Sequence, residues 1–145
     1  QMLDEMCATL GGRAAEEIIF NKVSTGALND LEKVSKQAKA MVLIYGFNKK
    51  IGNVTYYDSS GQETYFNKPY SEDTAKTIDQ EIKKIIEDEY VRAKKILKKY
   101  KKRLEELADL LLQKEVIFKE DLEQVLGERK WVAVEKININ KFRKK

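Results

Sequence analysis

Three carboxylates in the first third of the chain are the residues best placed to do chemistry. Asp30 lies three residues after Ala27 and four before Val34, so on a helix it flanks an apolar stripe. Two interpretations stay open for it: an acid that interacts with the helix dipole, or a metal ligand at a buried edge. Glu16 and Glu17 raise the same question, either as solvated acids near a helix end or as acids at the edge of a metal site.

The composition limits what this chain can catalyse alone. Its 145 residues contain no histidine and a single cysteine, Cys7, which excludes Ser-His-Asp and Cys-His nucleophile systems. A catalytic zinc takes three protein ligands that usually include histidine, and this sequence by itself cannot supply them. It also has no glycine-rich phosphate loop, so we expect any ATP site to lie in a module outside this chain.

The basic side chains are clustered although the overall charge is nearly balanced, with 28 basic and 24 acidic residues. Residues 90–104 hold eight basic side chains and no acid, and residues 128–145 form a basic tail. Such runs are usually solvated surfaces, and the alternative is attraction of anions. We do not expect nucleic-acid binding, because the basic residues surround the predicted helix and few aromatic residues accompany them.

Apolar residues at steps of three and four predict the helices that must position these acids. The first covers residues 2–20, and its glycine pair at positions 11 and 12 indicates either close approach of a neighbouring backbone or a kink. The second covers residues 27–45. Its cap is Asn29, or earlier Ser24 or Thr25, and Gly46 is the predicted stop.

The pattern then changes character before becoming helical again. Two runs of β-branched and aromatic residues, 54–57 and 63–66, flank a Gly-containing loop and predict a small β-hairpin. Ser71, followed by two acids, starts a long helix, and the sequence leaves open whether the chain turns near residues 99–102. A last short helix over 118–126 is stopped by a glycine.

These elements predict a mostly α, helical bundle-like fold with room for one short β-hairpin. We expect residues 1–67 and 68–127 to form two lobes, followed by the basic tail 128–145. No run of about 18 apolar residues is present, so no transmembrane helix is predicted within this sequence.

Two strings of residues carry a family resemblance. LGGRAAEEII at residues 10–19 and STGALNDLE at residues 24–32 resemble the FtsH family of membrane-anchored, ATP-dependent zinc metalloproteases. The strings at 39–47 and 71–82 continue the resemblance, which covers about residues 2–127. The tyrosine pair at 56 and 57 and the Ser-Gly pair at 60 and 61 are most similar to a Bacteroidetes-type member.

The resemblance implies a largely helical peptidase domain behind an AAA ATPase module, working as a homo-hexamer on protein substrates. In that family Zn²⁺ is held by two histidines of an HExxH helix and by an aspartate that maps onto Asp30. The glutamate of HExxH is the general base. Glu16 corresponds to an acid close to the metal site that supports its ligands.

The sequence departs from the family pattern because it contains no HExxH. We therefore expect it to be the C-terminal part of the peptidase domain (residues 1–67 being the C-terminal part of its zinc core), inactive in isolation and without a catalytic residue of its own. The full-length protein is expected to be anchored in the bacterial inner membrane through helices outside this sequence, with the peptidase domain facing the cytoplasm, and to degrade misfolded or membrane proteins. The alternative function is a non-catalytic helical oligomerisation scaffold.

Overall fold

The computed structural model describes residues 1–56 and 69–128, and the regular elements within these ranges are all helices. They are α1 (Met2–Thr9), α2 (Gly11–Phe20), a 3-10 helix (Thr25–Ala27), α3 (Leu28–Leu43), α4 (Glu72–Lys99), α5 (Lys101–Lys114) and α6 (Lys119–Leu126). The predicted mostly helical fold is confirmed. The predicted hairpin falls largely on residues 57–68, outside the described residues, and so does the tail from residue 129 onward.

The first predicted helix is divided at Leu10 into α1 and α2. Helical hydrogen bonds run through the division, because the Leu10 N–H donates to the Met6 carbonyl and the Leu10 carbonyl accepts from the Ala14 N–H, both at 3.0 Å. A Cβ added at Gly11 or Gly12 would meet no atom within 4 Å in the part of the chain that the structure describes. The glycine pair therefore follows a kink, and close approach of another backbone is not seen there.

The long helix α4 supplies one side of the core. It begins as predicted, with the Ser71 hydroxyl accepting the Thr74 N–H at 3.3 Å. Its apolar face packs on α1, α2 and α3. Five buried residues form the main cluster with the α4 isoleucines around them, namely Met6, Leu10, Val34, Ala38 and Met41. A smaller cluster of Cys7, Ala14 and Ala93 joins α1 and α2 to α4.

The chain divides into two compact units, Gln1–Lys99 and Tyr100–Lys145. The first unit holds α1 to α4 and both buried clusters. In the second, the structure describes residues 100–128, and neither α5 nor α6 contains a buried residue. The helix break that the sequence left open falls at Tyr100, between α4 and α5. The lobes expected over 1–67 and 68–127 stay a prediction.

Candidate functional site

The connector between α2 and α3 places the predicted site residues on neighbouring segments. Helix α2 ends at Asn21, whose φ of 51° is left-handed and turns the chain out of the helix. Ser24 is extended and caps the 3-10 helix, which leads without a gap into α3 at Leu28. Among the alternative caps predicted for the second helix, Ser24 caps the 3-10 helix that precedes it, whereas α3 itself has Ala27 at its N-cap and no side-chain cap.

Glu16 on α2 holds this connector. Its carboxylate accepts two hydrogen bonds from Ser24, one from the hydroxyl at 2.8 Å and one from the backbone N–H at 3.1 Å. These bonds, the hydroxyl bond first, lower the pKa of Glu16 below its ordinary 4.5, so the side chain is an ionised acceptor at neutral pH. Glu16 is therefore engaged with Ser24.

Asp30 is the third residue of α3 and the acid in its first turn. Its side chain is partly buried, and it forms no hydrogen bond or ion pair with any residue in the ranges 1–56 and 69–128. An acid in a first turn interacts favourably with the helix dipole, and an unpaired carboxylate also keeps both oxygens available to a cation. The geometry agrees with both interpretations that the sequence left open.

Glu17 differs from Glu16 because its carboxylate contacts side chains of α4. The Tyr90 hydroxyl donates to the Glu17 carboxylate, and Lys94 Nζ lies 3.3 Å from its other oxygen. The Lys94 ammonium also lies 4.5 Å from the centre of the Tyr90 ring. Burial and the Glu17 carboxylate raise the pKa of Tyr90 to about 12, and the Tyr90 hydrogen bond lowers that of Glu17. Glu17 thus ties α2 to α4.

Neither the contact of Glu16 nor that of Glu17 was predicted from the sequence, and the two cases differ. The bond between Ser24 and Glu16 spans 8 residues and lies within two strings that the resemblance had already singled out, so the signal was present. Tyr90 and Glu17 are 73 residues apart, and no local pattern pairs them.

The described residues fit one ligand position of a zinc site and not a complete site. Zinc takes three or four nitrogen, sulfur or oxygen ligands from a protein. Within residues 1–56 and 69–128 no group of three His, Cys, Asp or Glu side chains could hold a metal ion. Cys7, the sole thiol, is buried against Ala14 and Ala93. The unpaired carboxylate of Asp30 has the oxygen atoms for one such ligand position.

Two other surface features lie in the first unit. Four large apolar side chains on either side of the connector are exposed, namely Ile19, Phe20, Val23 and Leu28, with Phe20 and Leu28 at 69% and 70%. A cleft of about 240 Å³ is lined by Lys50, Ile51, Tyr56, Asp73, Thr74 and Thr77, and neither Glu16 nor Asp30 lines it. Among the described helices, none combines the length and the apolar character needed to cross a membrane.

Comparison of the sequence with known proteins shows which family the chain is similar to. The family model of Peptidase family M41 matches residues 1–125. The chain is 56% identical over 133 residues to an ATP-dependent zinc metalloprotease FtsH of Parabacteroides distasonis, covering 92% of this chain and 19% of that protein. An FtsH of Karelsulcia muelleri is 53% identical over 127 residues, covering 87% of this chain and 20% of that protein.

A eukaryotic relative shows the same partial coverage. The mouse mitochondrial inner membrane m-AAA protease component AFG3L2 is 44% identical over 129 residues, covering 89% of this chain and 16% of that protein. The chain thus spans about a fifth of the length of the curated relatives it matches. The predicted resemblance, including its Bacteroidetes character, is confirmed.

Proposed function

The chain belongs to peptidase family M41, and from that premise we propose that it is the C-terminal part of the peptidase domain of an ATP-dependent zinc metalloendopeptidase. The observation that carries the proposal is the 56% identity, over 92% of this chain, to a protein named as an ATP-dependent zinc metalloprotease. Since the chain contains no histidine, it is inactive in isolation.

In this proposal Asp30 is the chain's ligand to zinc. It stands in the STGALNDLE string, in the first turn of α3, with a partly buried carboxylate that no described residue engages. The two histidine ligands come from an HExxH helix in a part of the full-length protein outside this sequence. When bound, zinc supplies Lewis-acid chemistry for peptide hydrolysis at neutral pH.

Glu16 supports that ligand and does not bind the metal itself. Both of its oxygens are committed to Ser24, which caps the 3-10 helix leading into α3. A carboxylate that fixes the segment carrying a ligand limits the positions the ligand can take. Glu16 therefore holds the start of α3 against α2.

The full-length protein is proposed to act on misfolded or membrane proteins as a membrane-anchored homo-hexamer driven by an ATPase module. The names of the relatives support the ATP dependence, and the mouse relative's name places that protein at an inner membrane. We place this protein at the bacterial inner membrane with its peptidase domain in the cytoplasm. The exposed apolar residues beside the connector are where the rest of the peptidase domain would pack.

The test compares two first-turn aspartates in the full-length enzyme, Asp30→Ala on α3 and Asp73→Ala on α4. We expect Asp30→Ala to lose zinc and proteolysis of an unfolded protein by more than the roughly 10–100-fold typical of residues that only support ligands. Asp73→Ala should keep both, because it removes only a helix-dipole interaction. Zinc content and proteolysis that are unchanged in Asp30→Ala would overturn the ligand role of Asp30.

A further inference from the structure

Ser24 forms a closed set of hydrogen bonds that has no counterpart at the other serine cap in the described residues. Its N–H and its hydroxyl both donate to Glu16, at 3.1 and 2.8 Å, and its hydroxyl oxygen accepts the Gly26 N–H at 3.2 Å. A serine hydroxyl has one proton to donate, and Glu16 takes it, so the orientation of the hydroxyl is defined. At the start of α4, the Ser71 hydroxyl accepts the Thr74 N–H at 3.3 Å and lies 3.1 Å from the Thr74 hydroxyl, with no carboxylate bound to it among the described residues.

The segment from this serine to Asp30 is short and continuously helical. The 3-10 helix over Thr25–Ala27 runs directly into α3, and Ala27 between them is buried. Residues 25–30 are helical throughout, so a shift at Ser24 is passed along the backbone to Asp30. Since Asp30 has no partner of its own among residues 1–56 and 69–128, its backbone decides where its carboxylate lies.

The glycine at position 26 is a second observation, and it concerns the small amount of free space beside the Ser24 hydroxyl. A Cβ at Gly26 would lie 3.3 Å from Ser24 Oγ, closer than side-chain contacts usually come. The Ser24 hydroxyl would have to move away from such a Cβ, and this movement would weaken its hydrogen bond to Glu16. A residue without a side chain at position 26 therefore preserves the bonds of Ser24.

We propose that Ser24 is a positioning residue for the metal-binding carboxylate of Asp30, which it orients by locking the start of α3 to Glu16. The inference rests on the proposed function, since it takes Asp30 to be a zinc ligand. Loss of the Ser24 hydroxyl frees Glu16 Oε1 and the Gly26 N–H together and lets the start of α3 move away from α2. The zinc affinity then falls although every ligand is still present.

The experiment measures zinc dissociation constants by chelator competition in the full-length enzyme. Ser24→Ala is compared with Ser71→Ala, a matched loss of a serine cap on α4, and with Ser24→Thr, which keeps the hydroxyl. We expect Ser24→Ala to weaken zinc binding by about tenfold and to alter the visible absorption of the cobalt-substituted enzyme. Ser24→Thr should restore both, and Ser71→Ala should change neither, although both alanine variants lower the melting temperature.

Each outcome decides one claim. Zinc affinity and cobalt absorption in Ser24→Ala that equal those of the wild type would overturn the positioning role, and so would an equal loss in Ser71→Ala. Asp30→Ala, measured in the same assay, separates this failure from that of the proposed function. If Asp30→Ala binds zinc as the wild type does, the ligand assignment falls and the role of Ser24 falls with it. If only Asp30→Ala loses zinc, the ligand assignment stands and the inference about Ser24 is wrong.

Discussion

The two compact units differ in how their helices are held. In the first unit, Gln1–Lys99, residues such as Met6 and Val34 have no exposed surface, and α4 covers three other helices. In the second, no residue of α5 or α6 is buried, and Leu112 and Phe118 are 81% and 67% exposed. A close-packed core holds its side chains in place, so the first unit offers the rigidity that a metal ligand needs.

The polar contacts differ in the same way. Several of those in the first unit join distant parts of the sequence, as between the part-buried Tyr90 and Glu17 or between the exposed Arg92 and Asp4. Those within α5 and α6 are mostly local, such as the ion pair between Lys101 and Glu105 at 3.7 Å. Local contacts stabilise a helix by tenths of a kcal/mol, whereas buried contacts between helices cost more to lose. The comparison therefore predicts unequal responses to equal substitutions.

The largest difference is expected for one substitution made in both units, Leu10→Ala and Leu112→Ala. Leu10 is 1% exposed within the main cluster, and Leu112 is 81% exposed on α5. Leu10→Ala should lower the free energy of unfolding by about 3 kcal/mol, because it removes buried methyl groups and leaves a cavity. Leu112→Ala should change it by less than about 0.5 kcal/mol. Urea denaturation followed by circular dichroism measures both.

An equal loss in the two variants would break the comparison. It would show that the α5 surface around Leu112 is covered in solution, so that the second unit owes its stability to burial as well. Amide hydrogen exchange would then report strong protection in α5, where the exposed surface predicts rapid exchange.

Much of this fold could be predicted from local sequence. The start of α4 at Ser71 was predictable because a serine cap followed by acids acts within one turn. Asp30 was identified by the residues around it, but spacing alone left its role open. A kink near the division of the first helix at Leu10 was one of two alternatives, because the glycine pair equally allowed close approach of another backbone.

The contacts between α2 and α4 could not be predicted for a different reason. They join α2 to α4, and the partner of Glu17 depends on how α4 packs, which no spacing within either helix contains. The second unit shows the opposite case. Its helix ends follow from local residues such as Asp121, which accepts the Phe118 N–H at 3.0 Å.

A smaller difference in the free energy of unfolding is expected between Asn48→Ala and Asp121→Ala. Each substitution removes a side chain that accepts backbone N–H groups in a turn. Asn48 is buried, accepts the N–H groups of Lys50 and Ile51, and donates to the buried carboxylate of Glu81 at 2.8 Å. Its loss removes the acceptor of both N–H groups and one hydrogen bond to Glu81, which keeps its ion pair to Lys50, and should cost about 2 kcal/mol. Asp121→Ala should cost about 1 kcal/mol, because it removes the acceptor of the Phe118 N–H and the ion pair to Lys114.

Thermal unfolding of the two variants measures this second difference. Hydrogen exchange at residues 50 and 51 provides the local control, because their amides should exchange faster in Asn48→Ala and not in Asp121→Ala. Equal destabilisation, with no change in exchange at those amides, would mean that burial does not strengthen the polar contacts of the first unit.

The smallest expected effect is a loss of stability of the first unit at alkaline pH, caused by ionisation of Tyr90. Burial and the Glu17 carboxylate raise the pKa of Tyr90 from 10.0 to about 12 in the folded chain. The folded state therefore keeps a proton that the unfolded state has lost, so the stability from this contact is complete below about pH 10 and disappears as pH rises toward 12. Tyr90→Phe should be about 1 kcal/mol less stable than the wild type near pH 8, and the two should converge near pH 11. Urea denaturation across this range measures the gap between them. A gap that stays constant would show that the Tyr90 proton is not held by Glu17, and the contact between α2 and α4 would then rest on apolar packing alone.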